Sequence, residues 1–123
     1  MKVLVIEDDE AVQKFICKIL VSAGHAVAVA GNGEEGLAEI KKNNDFSIVI
    51  TDLLMPEKEG IETIADIKKL WPHIKILAIS GGGVIEPEFY LMNASALGAN
   101  LTLKKPFTRP ELLSAIENLS ARK

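Results

Sequence analysis

Short apolar runs alternate along this chain with segments whose apolar residues recur every three or four positions, and this alternation narrows the possible folds most. Val3 to Ile6 is continuously apolar and brief, the pattern of a central parallel strand covered on both faces. From Ala11 to Ala23, Val12, Phe15, Ile16, Ile19 and Leu20 mark the buried stripe of an amphipathic helix, which Gly24 stops. A weaker strand follows at Ala26 to Ala30. Asn32 then offers a helix cap with Glu35 three residues on, and Leu37 and Ile40 form the stripe behind it. Phe46 to Thr51 reads as a third strand, and Ile61, Ile64, Ile67 and Leu70 as a third helix closed by Pro72. Ile74 to Ile79 is the fourth strand. Gly81-Gly82-Gly83 makes a flexible loop, Glu88 to Leu97 a fourth helix and Leu101 to Leu103 a fifth strand. Thr108 and Glu111 have the form of a capping box ahead of Leu112, Leu113, Ile116 and Leu119. Strand–helix units repeated in this way call for right-handed crossovers, and so for an α/β fold with a parallel sheet and helices on both faces. No repeat or linker divides residues 1–123, so a single domain is expected.

Composition limits the function. The chain is 48% hydrophobic and 25% charged, which excludes intrinsic disorder. Its 14 basic and 17 acidic residues leave a formal charge of −3 with no basic run. Such a domain is not expected to bind nucleic acid directly or to coat an anionic membrane. No stretch is apolar for the roughly 18 residues of a membrane span, and the N-terminal apolar run meets Glu7-Asp8-Asp9-Glu10 too soon for an export signal. The lone Cys17 cannot form an intrachain disulfide, so a cytoplasmic setting is expected.

In sheets of this kind, function gathers beyond the carboxyl ends of the strands. The expected strand ends carry Glu7 and Asp8, Asp52, Ser80 and Lys105. Each has an ordinary explanation alone: a helix cap, a satisfied turn, a solvated lysine. Together they describe a site. Two like charges 4 Å apart repel by about 4 kcal/mol at an effective dielectric of 20, so converging carboxylates must take up a proton or surround a cation. Carboxylates, a carbonyl and water are the hard oxygen ligands that suit Mg²⁺, and no Cys/His cluster competes for zinc. A carboxylate such as Asp52 beside that ion can attack phosphorus and form an aspartyl phosphate. Lys105 and the Ser80 hydroxyl can hold the phosphoryl oxygens, and Gly81, lacking a side chain, lets its N–H approach them.

Taken together, these residues resemble the receiver domain of two-component response regulators, the CheY-like family, over essentially the whole chain. The matching stretches are Val3 to Asp9, Ile48 to Pro56 with Gly60, Ile76 to Ser80, and Gly98-Ala99 leading to Lys105-Pro106-Phe107. The resemblance implies a doubly wound (βα)5 fold, flavodoxin-like, with a five-stranded parallel sheet in the order 2-1-3-4-5. It implies Asp52 as phosphoacceptor and Mg²⁺ (or Mn²⁺) as cofactor, held by Asp8 directly, by Glu7 partly through water, by Asp52 and by the Leu54 carbonyl. Ser80 and Gly81 would meet the phosphoryl group, and Lys105, joined to Pro106 by a cis bond, would pair with it. The donor would be a histidine kinase or histidine phosphotransfer domain. The chain would then be a phosphoacceptor assisting its own phosphorylation and dephosphorylation rather than an enzyme acting on other substrates. Movement of Ser80 would shift the surface of the Glu88–Leu97 helix, the fifth strand and the last helix, which a downstream protein reads.

Two features depart from the family pattern. Thr102 stands where the family often has an aromatic ring that turns inward with the switch, and the loop after Ser80, Gly81-Gly82-Gly83 then Val84-Ile85-Glu86-Pro87, is unusual. Leu54 and Gly82 occupy the positions flanking the water that attacks phosphoaspartate, and neither side chain can orient it. Asp9 reads as a helix cap, His25 and His73 as exposed, Lys41-Lys42 and Lys68-Lys69 as solvated faces, Trp71 as packed at the end of the third helix and Cys17 as at least half-buried. A haloacid-dehalogenase-like hydrolase would need a second Asp where Leu54 stands. A flavodoxin-like binding module would need a phosphate-cradling loop where Glu7 to Glu10 would repel one. A degenerate receiver serving only protein interaction would not need Glu7, Asp8, Asp52, Ser80 and Lys105 together. The Leu54 position predicts a long-lived phosphorylated state, and Leu54→Asn is expected to speed decay of the phosphorylated protein in a time course; an unchanged rate would count against it.

Overall fold

The computed structural model describes residues 1–43, 45–52, 59–80 and 98–121, leaving aside the side chains of residues 59–61 and Ser80. Within them run β1 (Lys2–Ile6), α1 (Glu10–Ser22), β2 (Ala26–Ala30), α2 (Gly33–Lys42), β3 (Ile48–Asp52), α3 (Glu59–Leu70), β4 (Lys75–Ser80), β5 (Leu101–Lys104) and a C-terminal helix, α4 (Arg109–Ala121). The expected helix Glu88–Leu97 and the Gly81–Gly83 loop lie outside the described residues, as does Leu54.

The five strands form one sheet in the order β2-β1-β3-β4-β5, every pair parallel. Alternation of side chains across each strand divides the core in two. Val3, Val5, Ile48, Ile50, Leu77 and Ile79 pack with Ile16 and Leu20 of α1 and Leu112, Ile116 and Leu119 of α4. Leu4, Ile6, Val49, Ile76 and Ala78 pack on the opposite face with Ile40 of α2 and Ile64 and Ile67 of α3. The continuous apolar run at β1 is thus used on both faces. Burying each such aliphatic side chain contributes about 1.5–3 kcal/mol.

Local signals set the element ends. The Asp9 carboxylate caps α1, accepting from Ala11 and Val12 N–H at 2.9 and 3.3 Å. Gly24 leaves the helix at φ +91°, a conformation that side chains resist. Asn32 caps α2 through the Glu35 N–H at 2.8 Å, while the Glu35 carboxylate reaches past it to Gly31 N–H at 2.9 Å. At α4 the capping box is reciprocal: Thr108 N–H donates to Glu111 at 2.9 Å and Glu111 N–H to the Thr108 hydroxyl at 3.3 Å.

Three side chains sit otherwise than the sequence suggests. Phe15 is 45% exposed. It lies on the flank of α1, where its ring meets Phe107 at 5.9 Å, and Ile16 beside it takes the buried position. Lys68 is half-buried rather than solvated: its stem packs under Gly98, and its ammonium donates to the Ile74 carbonyl at 2.8 Å. Burial, aided by the Lys75 charge, lowers its pKa. His25 is also half-buried, with its Nδ1 3.3 Å from the N-terminal amine. Leu4→Ala, at a fully enclosed position shared by β1 and the α2–α3 face, is expected to cost about 2–5 kcal/mol in denaturant unfolding, well above a surface substitution such as Lys42→Ala.

Candidate functional site

The register of the sheet brings the ends of β1 and β3 side by side, with β4 and β5 following on the same side. Glu7 leaves β1 with its N–H donated to the Ala30 carbonyl at 3.0 Å, so the turn above β1 is tied to the end of β2. Gln13 of α1 strengthens that tie. Its amide donates to the Glu7 and Ala30 carbonyls at 3.1 and 3.4 Å. The sequence gives no sign of this role, because a glutamine in an amphipathic helix looks like any solvated position. Asp9, besides capping α1, donates its own N–H to a Glu7 carboxylate oxygen at 3.1 Å. One turn thereby fixes both the helix start and an acid of the site.

Glu7 and Asp52 are 2% and 4% exposed. Asp8 is exposed, and one carboxylate oxygen from each of the three lies within 4.8 Å of the others. Lys105 directly follows β5 and is joined to Pro106 by a cis bond. Its ammonium meets Asp52 Oδ2 at 2.6 Å and Glu7 Oε2 at 3.6 Å, with the side chain 25% exposed. Ser80 ends β4 and pairs with Lys104, one strand from Asp52. Thr102 of β5 pairs with Ala78 of β4 and is half-buried. Glu7, Asp8, Asp52 and Lys105 are therefore gathered at one edge. The Ser80 hydroxyl, Gly81 and Leu54 lie outside the described residues.

The charges act on one another. Burial, a hydrogen bond with Asp52 and the Asp52 charge raise the Glu7 pKa to about 8, although the Asp9 N–H and Lys105 oppose the shift. Burial pulls the Lys105 ammonium down, but the hydrogen bond and charge of Asp52, joined by Glu7, outweigh it and hold the pKa above the usual lysine value. In the metal-free chain one proton and one ammonium thus relieve the repulsion among the acids. The three carboxylates present the oxygen donors that a hard divalent cation prefers, and that cation could take the place of the proton. A carboxylate held against a lysine at the rim of the sheet, as Asp52 is, can act as a nucleophile, with the ammonium placed to receive an anion.

Fold and site together define a doubly wound α/β domain with an acidic pocket and a lysine at the carboxyl edge of its parallel sheet. Residues 3–117 match the family of response regulator receiver domains, and the chain belongs to that family, which acts in two-component systems. It is 31% identical over 115 residues to the DNA-binding transcriptional regulator NtrC of Azospirillum brasilense, spanning 94% of this chain and 23% of that protein. It is 30% identical over 118 residues to the response regulator receiver protein CpdR of Brucella abortus, spanning 96% of this chain and 95% of CpdR. The crystal structure of a response regulator receiver domain protein from Clostridium thermocellum superimposes with a TM-score of 0.87 at 33% identity, covering 96% of this chain and 92% of that one. The chain spans only 23% to 54% of longer regulators among its curated relatives. Among the described residues, no helix is long and apolar enough to cross a membrane.

The raised Glu7 value predicts a pH dependence. Between its ordinary value near 4.5 and about 8, the folded chain holds a proton there that the unfolded chain has released. That contribution to stability is complete at the acid end and disappears as pH rises through about 8. Melts in EDTA should show a falling midpoint across this window, and Mg²⁺ should raise the midpoint most at the alkaline end. A midpoint in EDTA that does not move would show that Glu7 is not held protonated.

Proposed function

We propose that residues 1–123 form a single cytoplasmic receiver domain that accepts a phosphoryl group on Asp52 from the phosphohistidine of a histidine kinase or histidine phosphotransfer domain. The contact that carries this reading is the ion pair between Asp52 and Lys105 at 2.6 Å beside two further carboxylates. Family membership supports it independently. In the transfer, an Asp52 carboxylate oxygen attacks phosphorus and the bond from phosphorus to the donor's ring nitrogen breaks. The electron pair stays on the imidazole, which leaves as a neutral ring after taking a proton, and Asp52 becomes an acyl phosphate.

Each residue of the site has a part. Lys105 holds Asp52 before transfer and pairs with a phosphoryl oxygen afterwards. Glu7, Asp8 and Asp52, with the Leu54 carbonyl, would hold Mg²⁺ or Mn²⁺, which when bound neutralises charge on the phosphoryl oxygens. Ser80 and Gly81 would donate to the oxygens facing β4. The change in charge at Asp52 then biases the surface on which Thr102 and β5 lie, and a downstream protein reads that surface. The chain acts as a phosphoacceptor that assists its own phosphorylation and dephosphorylation.

Incubation with acetyl phosphate and Mg²⁺ should add the mass of one phosphoryl group, and EDTA or Asp52→Asn should abolish the gain. Lys105→Ala should slow it by about 10²–10³-fold, the effect of removing one donor aimed at developing charge. Phosphorylation of Asp52→Asn to the same extent would overturn the assignment.

A further inference from the structure

The outer edge of β2 is the feature of this molecule that phosphoryl chemistry leaves unused. β2 ends the sheet, and among the described residues no strand covers its outer side. Its sequence, Ala-Val-Ala-Val-Ala from Ala26 to Ala30, carries no charge, no proline and no bulge, the usual protections of an exposed edge. Val29 is 46% exposed there, and Val21 on neighbouring α1 is 60% exposed.

Backbone geometry makes the edge specific. Ala26 donates its N–H to the Met1 carbonyl, and the Ala30 carbonyl accepts from Glu7 N–H, so the even-numbered residues face β1. In a parallel ladder a residue turns both backbone groups to the same side, which leaves those of Val27 and Val29 directed outward. The strand also reads the same in both directions about Ala28. A second copy laid antiparallel about that residue would set Val27 opposite Val29 of its mate, twice. Each such pair exchanges two backbone hydrogen bonds, and Ala28 meets its own counterpart at the close, non-hydrogen-bonded position.

The flanking helices agree with this arrangement. A two-fold axis through Ala28, normal to the sheet, sets α2 antiparallel to its mate. Helix α2 carries Glu34 and Glu35 in its first turn and Lys41 and Lys42 in its last, so each acidic end meets a basic one. Glu35 and Glu39 line a cleft of about 440 Å³ beside Val29. Lys42 follows Glu35 and Glu39 at helical spacing, which puts the complementary charges on the same flank. On the other face, Val27 already packs beside the core shared with half-buried Cys17 of α1, and cross-strand valine pairs extend that apolar surface.

We infer that this chain forms a two-fold dimer by antiparallel pairing of its β2 edges about Ala28, joining two five-stranded sheets into one. This closed, isologous contact leaves the two acidic pockets at opposite ends of the joined sheet, both open to partners. It does not depend on phosphorylation, so its failure would leave the proposed function untouched.

Sedimentation of the metal-free chain from micromolar to near-millimolar concentration should show a monomer–dimer equilibrium. Val29→Lys, a change at an exposed position, should weaken it at least about tenfold while leaving the far-ultraviolet circular dichroism unchanged. Lys42→Glu should also weaken it, by setting acid against acid. In a Cys17→Ser background, oxidation should cross-link Ala28→Cys to its counterpart and leave Ala26→Cys as monomer. A chain that stays monomeric throughout, a dimer that survives Val29→Lys, or Ala28→Cys protein that does not cross-link would overturn the proposal.

Discussion

Like charges held close together without water have to be neutralised, and the carboxyl edge of this sheet is built around that requirement. Glu7 and Asp52 are almost fully enclosed, and Asp8 lies within reach of both. At these separations repulsion between one pair of carboxylates is about 4 kcal/mol, comparable with the whole stability of a small domain at about 5–15 kcal/mol. Lys105 and a proton on Glu7 relieve part of it in the metal-free chain. A pocket balanced in this way responds strongly to any added cation or anion, the property a charge-driven switch needs.

The rest of the fold serves to hold that pocket in place. Two aliphatic layers fix β1 and β3 side by side, and the turn after β1 is locked by Asp9, Gln13 and the Ala30 carbonyl. Lys105 arrives from a separate segment and closes the site from the far side of β3. None of these residues is adjacent to Asp52 in sequence, so the site exists only in the folded chain.

Much of this was legible beforehand. The run Val3 to Ile6 marks a strand buried on both faces. The strand-end rule names Glu7, Asp8, Asp52, Ser80 and Lys105, of which Glu7, Asp8, Asp52 and Lys105 meet in the fold while the Ser80 side chain lies outside the described residues. Asn32 with Glu35 and Thr108 with Glu111 marked helix starts correctly, because capping depends on a few residues in a row. The errors came where a side chain's surroundings are set by distant segments. Phe15 fits the apolar period of α1 yet lies on its flank, where Phe107 from another segment meets it. Lys68 reads as one of a charged pair on a solvated face, but only the turn at Gly98 reveals that its stem is covered. Gln13 had no signal at all, since its partners are backbone carbonyls of two different strands.

Lys68 carries a consequence of its own. Its amine is bound to the Ile74 carbonyl and its stem lies beneath the backbone that leads into β5. The lowered pKa follows from burial and the Lys75 charge, and the half-buried amine must give up its hydrogen bond to the Ile74 carbonyl before it can react with an acylating reagent. Acylation of Lys68 would therefore remove the tie between α3 and the turn that precedes β4.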